Sequence, residues 1–112
     1  MPREYRVYLK DISEAIGSIE TYTANLSFEK FAKDKLIQDA VVRNLEIIGE
    51  ASKHIPDRIT KMAPEIEWNK ITGLRDILAH EYFGVDIDIV WDILKNNIPK
   101  LKNSIAEILS KI

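Results

Sequence analysis

The spacing of the apolar residues constrains the fold of this chain more than any other feature. In the last quarter of the sequence, apolar side chains follow one another every three or four residues, at Val90, Leu94, Ile98, Leu101, Ile105, Ile108 and Ile112. An α-helix places such positions on one face. No stretch shows the strict apolar/polar alternation of a half-buried strand. The sequence therefore predicts an all-α fold.

Turn and capping residues divide the chain into helices with short connections. We predict four main helices, from Tyr5, over 34–54, over 65–82 and from Asp86 onward, with short helical turns after Ser27 and after Asp57. Pro99 must kink or restart the last helix, because proline removes a backbone donor. The expected architecture is an up-and-down bundle of four helices in one domain, residues 1–112.

The helix predicted over 34–54 has apolar residues on two sides. A broad face carries Leu36, Ile37, Ala40, Val41, Ile47, Ile48, Ala51 and Ile55, with Asn44 in its middle. A narrower face carries Val42, Leu45, Gly49 and Ser52. Glycine costs helix stability, so Gly49 indicates close approach of another helix. Two apolar sides imply two packing partners, and a second protomer is one candidate for the second partner.

Composition excludes several classes of protein. Without cysteine there is no disulfide scaffold or thiolate metal site, so we expect a reducing, cytoplasmic setting. A net charge of −2 gives no global basic field, although a cleft that binds a single phosphate needs only a few local cations. No apolar run approaches the roughly 20 residues that span a membrane, and we expect a soluble protein. Metal-ligand spacing around His54 and His80, and glycine-rich phosphate loops, are missing, so no metal or cofactor is expected.

The most reactive side chains cluster near the end of the helix predicted over 65–82. Asp76 and His80 are one helical turn apart, so the carboxylate can orient the imidazole, while Arg75 can bind two phosphate oxygens. Arg75 and His80 are about 140° apart on a straight helix. Either the helix loosens, or a dimer completes the site. A purely structural role for Arg75, His80 and Tyr82 stays open, because cationic side chains stabilise a helix C-terminus and a tyrosine can pack in the core. His54, Trp68 and Trp91 are interpreted as structural residues.

The motif Arg75-Asp-Ile-Leu-Ala-His80-Glu-Tyr82 resembles the Arg, four to six residues, His, any residue, Tyr signature of the HepT-like toxins of the HEPN superfamily. The resemblance extends through most of the chain, in the segments 6–16, 38–51, 64–68 and 81–85. It implies a dimeric helical bundle whose two protomers line a cleft with Arg75 and His80, the catalytic pair of a metal-independent ribonuclease. Asp76 is the supporting polar residue of the motif.

The same resemblance implies partners and further site residues. Such toxins are typically encoded beside a minimal nucleotidyltransferase antitoxin, which transfers AMP to the motif tyrosine, here Tyr82. Arg43, Asn44 and Glu46 match another recurrent block of the family. Asn44 is then a buried polar residue near the dimer interface, whereas Arg43 either extends the RNA path or forms a salt bridge with Glu46 or Glu50. The competing hypothesis is a non-catalytic helical module that docks onto and regulates the nucleotidyltransferase.

Overall fold

The computed structural model describes residues 4–79 and 86–112, and for residues 75, 77 and 79 it describes the backbone only. These parts contain helices and no strand, which confirms the all-α prediction. The helices are α1 (Tyr5–Thr23), α2 (Phe28–Lys33), α3 (Lys35–Ser52), α4 (Asp57–Thr60), α5 (Trp68–Thr72), α6 (Leu74–Ala79), α7 (Ile87–Asp92) and α8 (Ile98–Lys111), with a π-helical turn at Ile93–Asn97 between the last two.

The core lies where the long helices meet. α1 packs against α3, α8 packs against α1, and α5 and α6 pack against α3. The helix predicted from Tyr5 is confirmed, and its apolar residues at three- and four-residue spacing are buried at Leu9, Ile12, Ile16 and Ile19. Burying one such aliphatic side chain stabilises a fold by about 1.5–3 kcal/mol, so these residues hold α1 on the bundle.

Side-chain caps set three of the helix starts. Ser27 Oγ and Asp34 Oδ1 each accept a hydrogen bond from the backbone N–H of the third residue of α2 and α3. Asp86 Oδ1 accepts from the second and third residues of α7. The Ser27 and Asp86 predictions are confirmed. The expected cap at Asp57 is wrong, because Asp57 is the first residue of α4 and Pro56 occupies the N-cap position.

The helix predicted over 65–82 is divided in two and begins later than expected. The indole Nε1 of Trp68 donates to the carbonyl oxygens of Thr60 and Ala63, each at 3.1 Å. These bonds anchor the start of α5 against the turn before it, so residues 65–67 stay outside the helix. Gly73 then ends α5, and a Cβ at this position would stand 3.2 Å from the Asn69 carbonyl oxygen. The prediction of one uninterrupted helix over 65–82 is therefore wrong.

The last helical region passes Pro99 through a π-helical turn. Ile98 donates its backbone N–H to the carbonyl of Ile93, five residues back, and α8 begins with Pro99 in its first turn. In the first turn of a helix a backbone N–H has no acceptor within the helix, so proline, which lacks this group, loses no hydrogen bond there. The predicted stripe is confirmed by the burial of Val90, Leu94, Ile98, Leu101, Ile105 and Ile108, while Ile112 is half-buried.

The apolar pattern of α3 is only partly buried. Val41, Leu45, Ile48 and Ala51 lie in the core. Leu36 is 81% exposed, and Ile37, Ala40, Asn44 and Ile47 are half-buried. No helix among the described residues covers Leu36, and the packing of a second protomer on α3 stays a prediction. We call Leu36, Ala40 and Asn44, which follow one another every four residues, the α3 strip.

Candidate functional site

Of the predicted site residues in the motif, the structure describes only Arg75 and Asp76. Arg75 is the second residue of α6, and only its backbone is described. His80 and Tyr82 lie outside the described residues. Asp76 is exposed on α6. The pairing of Arg75 with His80, and the orienting role of Asp76, therefore stay predictions.

Two leucines fix the position of the helix that carries Arg75. Leu74 and Leu78 are 3% and 4% exposed and share one face of α6, which packs against α3. The short α5, anchored by Trp68, leads directly into α6 through Gly73. The motif therefore begins on a helix held by the core and not on a surface loop.

A cavity of about 320 Å³ opens beside the other predicted site residues on α3. It lies between α1 and the C-terminal half of α3, and its lining is Tyr8, Asp11, Arg43, Glu46, Ile47, Glu50, Ala51 and His54. The rings of Tyr8 and His54 stack in it, with centroids 4.6 Å apart and planes 15° apart. Of the residues predicted for the site, the structure brings Arg43 and Glu46 to this cavity.

Glu50 and Arg43, two charged residues of the cavity lining, differ in their ion pairs. Glu50 lies near His54 and Lys53, with its carboxylate oxygens 3.7 Å from His54 Nε2 and 3.8 Å from Lys53 Nζ. Within residues 4–79 and 86–112, Arg43 makes no ion pair with Glu46 or Glu50. The salt bridge considered for Arg43 is therefore not formed there.

Asn44 and Gly49 occupy different sides of α3. Asn44 is half-buried, and its Nδ2 donates to the Ala40 carbonyl oxygen at 2.9 Å, so its expected full burial is not found within the chain. Gly49 is buried. The close helix approach at Gly49, and the place of both residues at an interface, stay predictions.

The shifted pKa values in the described parts lie outside the cavity. The backbone N–H of Glu65 and the Ser104 hydroxyl, 2.8 Å away, lower the pKa of the Glu65 carboxyl. Lys70, 2.7 Å from Glu67, lowers the pKa of that carboxyl, and its own pKa is raised in return. Glu65 is thus hydrogen-bonded to α8, whereas Glu67 and Lys70 pair with each other on the surface.

Sequence reasoning missed three residues of the cavity. Tyr8 and Asp11 are on α1, and His54, interpreted as a helix-end residue, follows α3 and stacks on Tyr8. Only the packing of α1 on α3 brings them together. Trp68 and Trp91 are structural as predicted, and Trp91 contacts Phe28 and Phe31. Among the described residues, no cluster of three or more potential metal ligands occurs. In the same ranges, no helix is long and apolar enough to cross a membrane.

Comparison with known proteins decides the family. The "Ribonuclease HepT-like" family model matches residues 12–108. The chain belongs to the HepT-like ribonuclease family. A "Probable ribonuclease HepT" of Thermococcus cleftensis is 47% identical over 108 residues, covering 96% of this chain and 98% of the relative. No solved structure gives a significant match.

Other similar proteins come from Methanocaldococcus jannaschii. One, described as a "Putative RNase", is 41% identical over all of this chain and 93% of its own length. A second, "Gamma-glutamylcyclotransferase and putative RNase", is 40% identical, and this chain spans 50% of its length. The resemblance stated from the sequence is confirmed, and the family indicates a ribonuclease as the class of activity. The matched range includes the whole motif from Arg75 to Tyr82.

Proposed function

We propose that this HepT-like chain is the toxin of a type VII-like toxin–antitoxin module, a metal-independent endoribonuclease that acts through Arg75 and His80. The observation that carries the proposal is the motif Arg75-x4-His80-x-Tyr82 inside a family match that covers residues 12–108. The burial of Leu74 and Leu78 supports it, because a helix held by the core can position a catalytic arginine.

The reaction follows from the chemistry of the two side chains. A base takes the proton of the RNA 2′-hydroxyl, and the oxygen attacks the adjacent phosphorus. The bond to the 5′-oxygen of the next nucleotide breaks, and that oxygen receives a proton. An imidazole can give or take these protons near neutral pH, and the guanidinium of Arg75 stabilises the extra negative charge on the phosphate. The products are a 2′,3′-cyclic phosphate and a 5′-hydroxyl.

A homodimer would supply the second histidine that one chain lacks. The motif has a single histidine, whereas the reaction needs a base and an acid, which two copies of His80 can provide. The α3 strip supports the dimer, because Leu36 is largely exposed and Ala40 and Asn44 are only half-buried within the chain. A two-fold axis would pair this strip with its own copy. The cytoplasm is the proposed location, since RNA and the partner enzyme are there.

Neutralisation is assigned to a nucleotidyltransferase partner. Transfer of AMP from ATP to the Tyr82 hydroxyl would release pyrophosphate and leave a phosphodiester on the tyrosine. That phosphate would lie within a few residues of Arg75 and His80 along the chain and would compete with an RNA phosphate for the guanidinium. The tyrosine of the motif is therefore the point of control, and the arginine and histidine are the reacting groups.

Substitution of Tyr82 by phenylalanine tests this assignment. The parent protein, incubated with the nucleotidyltransferase and ATP, should gain the mass of one adenylate group on Tyr82 and lose its RNA cleavage. Tyr82→Phe should gain no adenylate and should keep cutting RNA, because it retains Arg75 and His80. Tyr22→Phe, on the exposed tyrosine of α1, is the matched control and should be modified like the parent. Adenylate on Tyr82→Phe, or none on the parent, would overturn the proposed control.

A further inference from the structure

The cavity between α1 and α3 has the features of a site for one base of the substrate. We propose that it receives a guanine of the RNA and that the Glu46 carboxylate reads this base. The inference rests on the proposed ribonuclease function, and it adds a base preference to it. Glu46 then acts as a specificity-determining residue.

The shape and surface of the cavity suit a flat ring. Its volume of about 320 Å³ falls at the lower end of the roughly 300–1,000 Å³ of small-molecule sites. Ile47 and Ala51 supply apolar surface, and the stacked rings of Tyr8 and His54 supply an aromatic wall. The His54 side chain is 48% exposed, so part of its ring remains open for stacking. Single-stranded RNA is commonly recognised by such stacking on unpaired bases.

The charges that line the cavity favour binding of a neutral base inside it, with the phosphate of the same nucleotide outside it. The lining includes three carboxylates, Asp11, Glu46 and Glu50, against one arginine and one histidine. Carboxylates repel a phosphate and accept hydrogen bonds from N–H groups. Arg43, which is exposed, can hold the phosphate attached to the bound nucleotide. The cavity is therefore suited to a neutral ring that presents donors.

Glu46 is the carboxylate that remains available for such a ring. Asp11 and Glu50 each have partners within the chain. Within the described ranges, Glu46 has no hydrogen bond or ion pair through its side chain, although it is half-buried. A half-buried carboxylate has lost part of its contact with water, and a ligand that donates hydrogen bonds can replace the bonds to water.

Among the four bases, guanine fits a carboxylate best. Its N1–H and its 2-amino group are adjacent donors, so two hydrogen bonds can reach the two oxygens of Glu46 at once. Adenine and cytosine present an amino group beside an acceptor nitrogen, and uracil presents one N–H between two carbonyls. In each of these cases an acceptor faces the carboxylate and weakens the contact.

The position of the cavity connects the bound base with the motif. Glu46 is on α3, and α6, which carries Arg75, packs against the same helix. A guanine in the cavity would thus be held by an element that also positions the catalytic arginine. We infer that cleavage occurs near a guanine.

Four RNA oligonucleotides that differ at a single central nucleotide test the proposal. The parent should cut the guanine-containing RNA with a kcat/KM roughly tenfold to a hundredfold above the other three, the range expected for one bidentate contact to a base. Glu46→Gln keeps the size of the side chain but places an amide donor against the donors of guanine, so the preference should disappear. Glu29→Gln, on an exposed glutamate of α2 outside the cavity, is the matched control and should keep it.

Binding of 2′-O-methyl versions of the same four RNAs separates this inference from catalysis. The parent should bind the guanine RNA most tightly although it cannot cut it, and His54→Ala should weaken binding of all four RNAs by roughly fivefold or more, because stacking does not depend on the base. A parent that cuts all four equally would overturn the guanine site and leave the ribonuclease standing. A parent that cuts none would overturn the proposed function, and equal binding of the four RNAs would overturn the guanine site independently.

Discussion

His80→Ala and Arg75→Ala should each lower the rate of RNA cleavage by about 10²–10⁴-fold, because each removes a group that acts in the transition state. Loss of a positioned acid or base costs about 10²–10⁴ in rate, and loss of one stabilising donor costs about 10²–10³. The measurement is the single-turnover rate on a defined RNA with each purified variant. The helical signal in circular dichroism and the thermal midpoint should stay close to those of the parent.

A second arginine of the chain provides the matched control. Arg58 lies on α4, with its guanidinium 5.1 Å from the centre of the Tyr5 ring, and it is outside the motif and the cavity. Arg58→Ala should cut RNA at nearly the parental rate. If Arg75→Ala and His80→Ala cut RNA as fast as Arg58→Ala, the assignment of the catalytic pair is wrong.

Leu36→Glu should dissociate the proposed dimer and abolish cleavage without destabilising the single chain. Leu36 is already 81% exposed, so the substitution costs little within one chain. In a two-fold interface the same change appears on both copies, and one unpaired buried charge costs about 3–5 kcal/mol. With a factor of ten for every 1.4 kcal/mol, the dissociation constant should rise by more than about 100-fold. Sedimentation over a concentration series, followed by the cleavage assay, measures both effects.

Ile89 offers a control of the same kind on another helix. It is exposed to 42% on α7 and is not part of the α3 strip. Ile89→Glu should leave both the dimer and the cleavage rate unchanged. A dimer that survives Leu36→Glu would place the interface elsewhere, and a fully active monomer would remove the argument that two copies of His80 are required.

The helices could be predicted because their signals are local. Spacing of apolar residues gives the stripes of α1 and α8, and the caps at Ser27 and Asp86 depend on residues within three positions. The late start of α5 was missed for a different reason. It depends on the Trp68 indole bonding to Thr60 and Ala63, which are distant enough along the chain to escape any periodic pattern.

The candidate site could be predicted only in part. Arg75 and His80 form a contiguous motif, and Arg43 and Glu46 a second short block, so sequence comparison detects both. The cavity depends on a tertiary contact, the stack of Tyr8 on His54 across more than forty residues. No pattern in a single sequence specifies that pair. The sequence likewise left open what covers Leu36, because periodicity gives the apolar side of a helix but not its packing partner.

Cleavage of one RNA, with and without a single 2′-deoxy nucleotide at the cut, in a chelating buffer, tests metal-free 2′-hydroxyl attack most directly. The all-ribose RNA should be cut in excess EDTA and should yield a 2′,3′-cyclic phosphate end, while the RNA with the 2′-deoxy nucleotide should stay intact at that position. Loss of activity in EDTA that returns with added magnesium, or cleavage at the deoxy position, would contradict the mechanism.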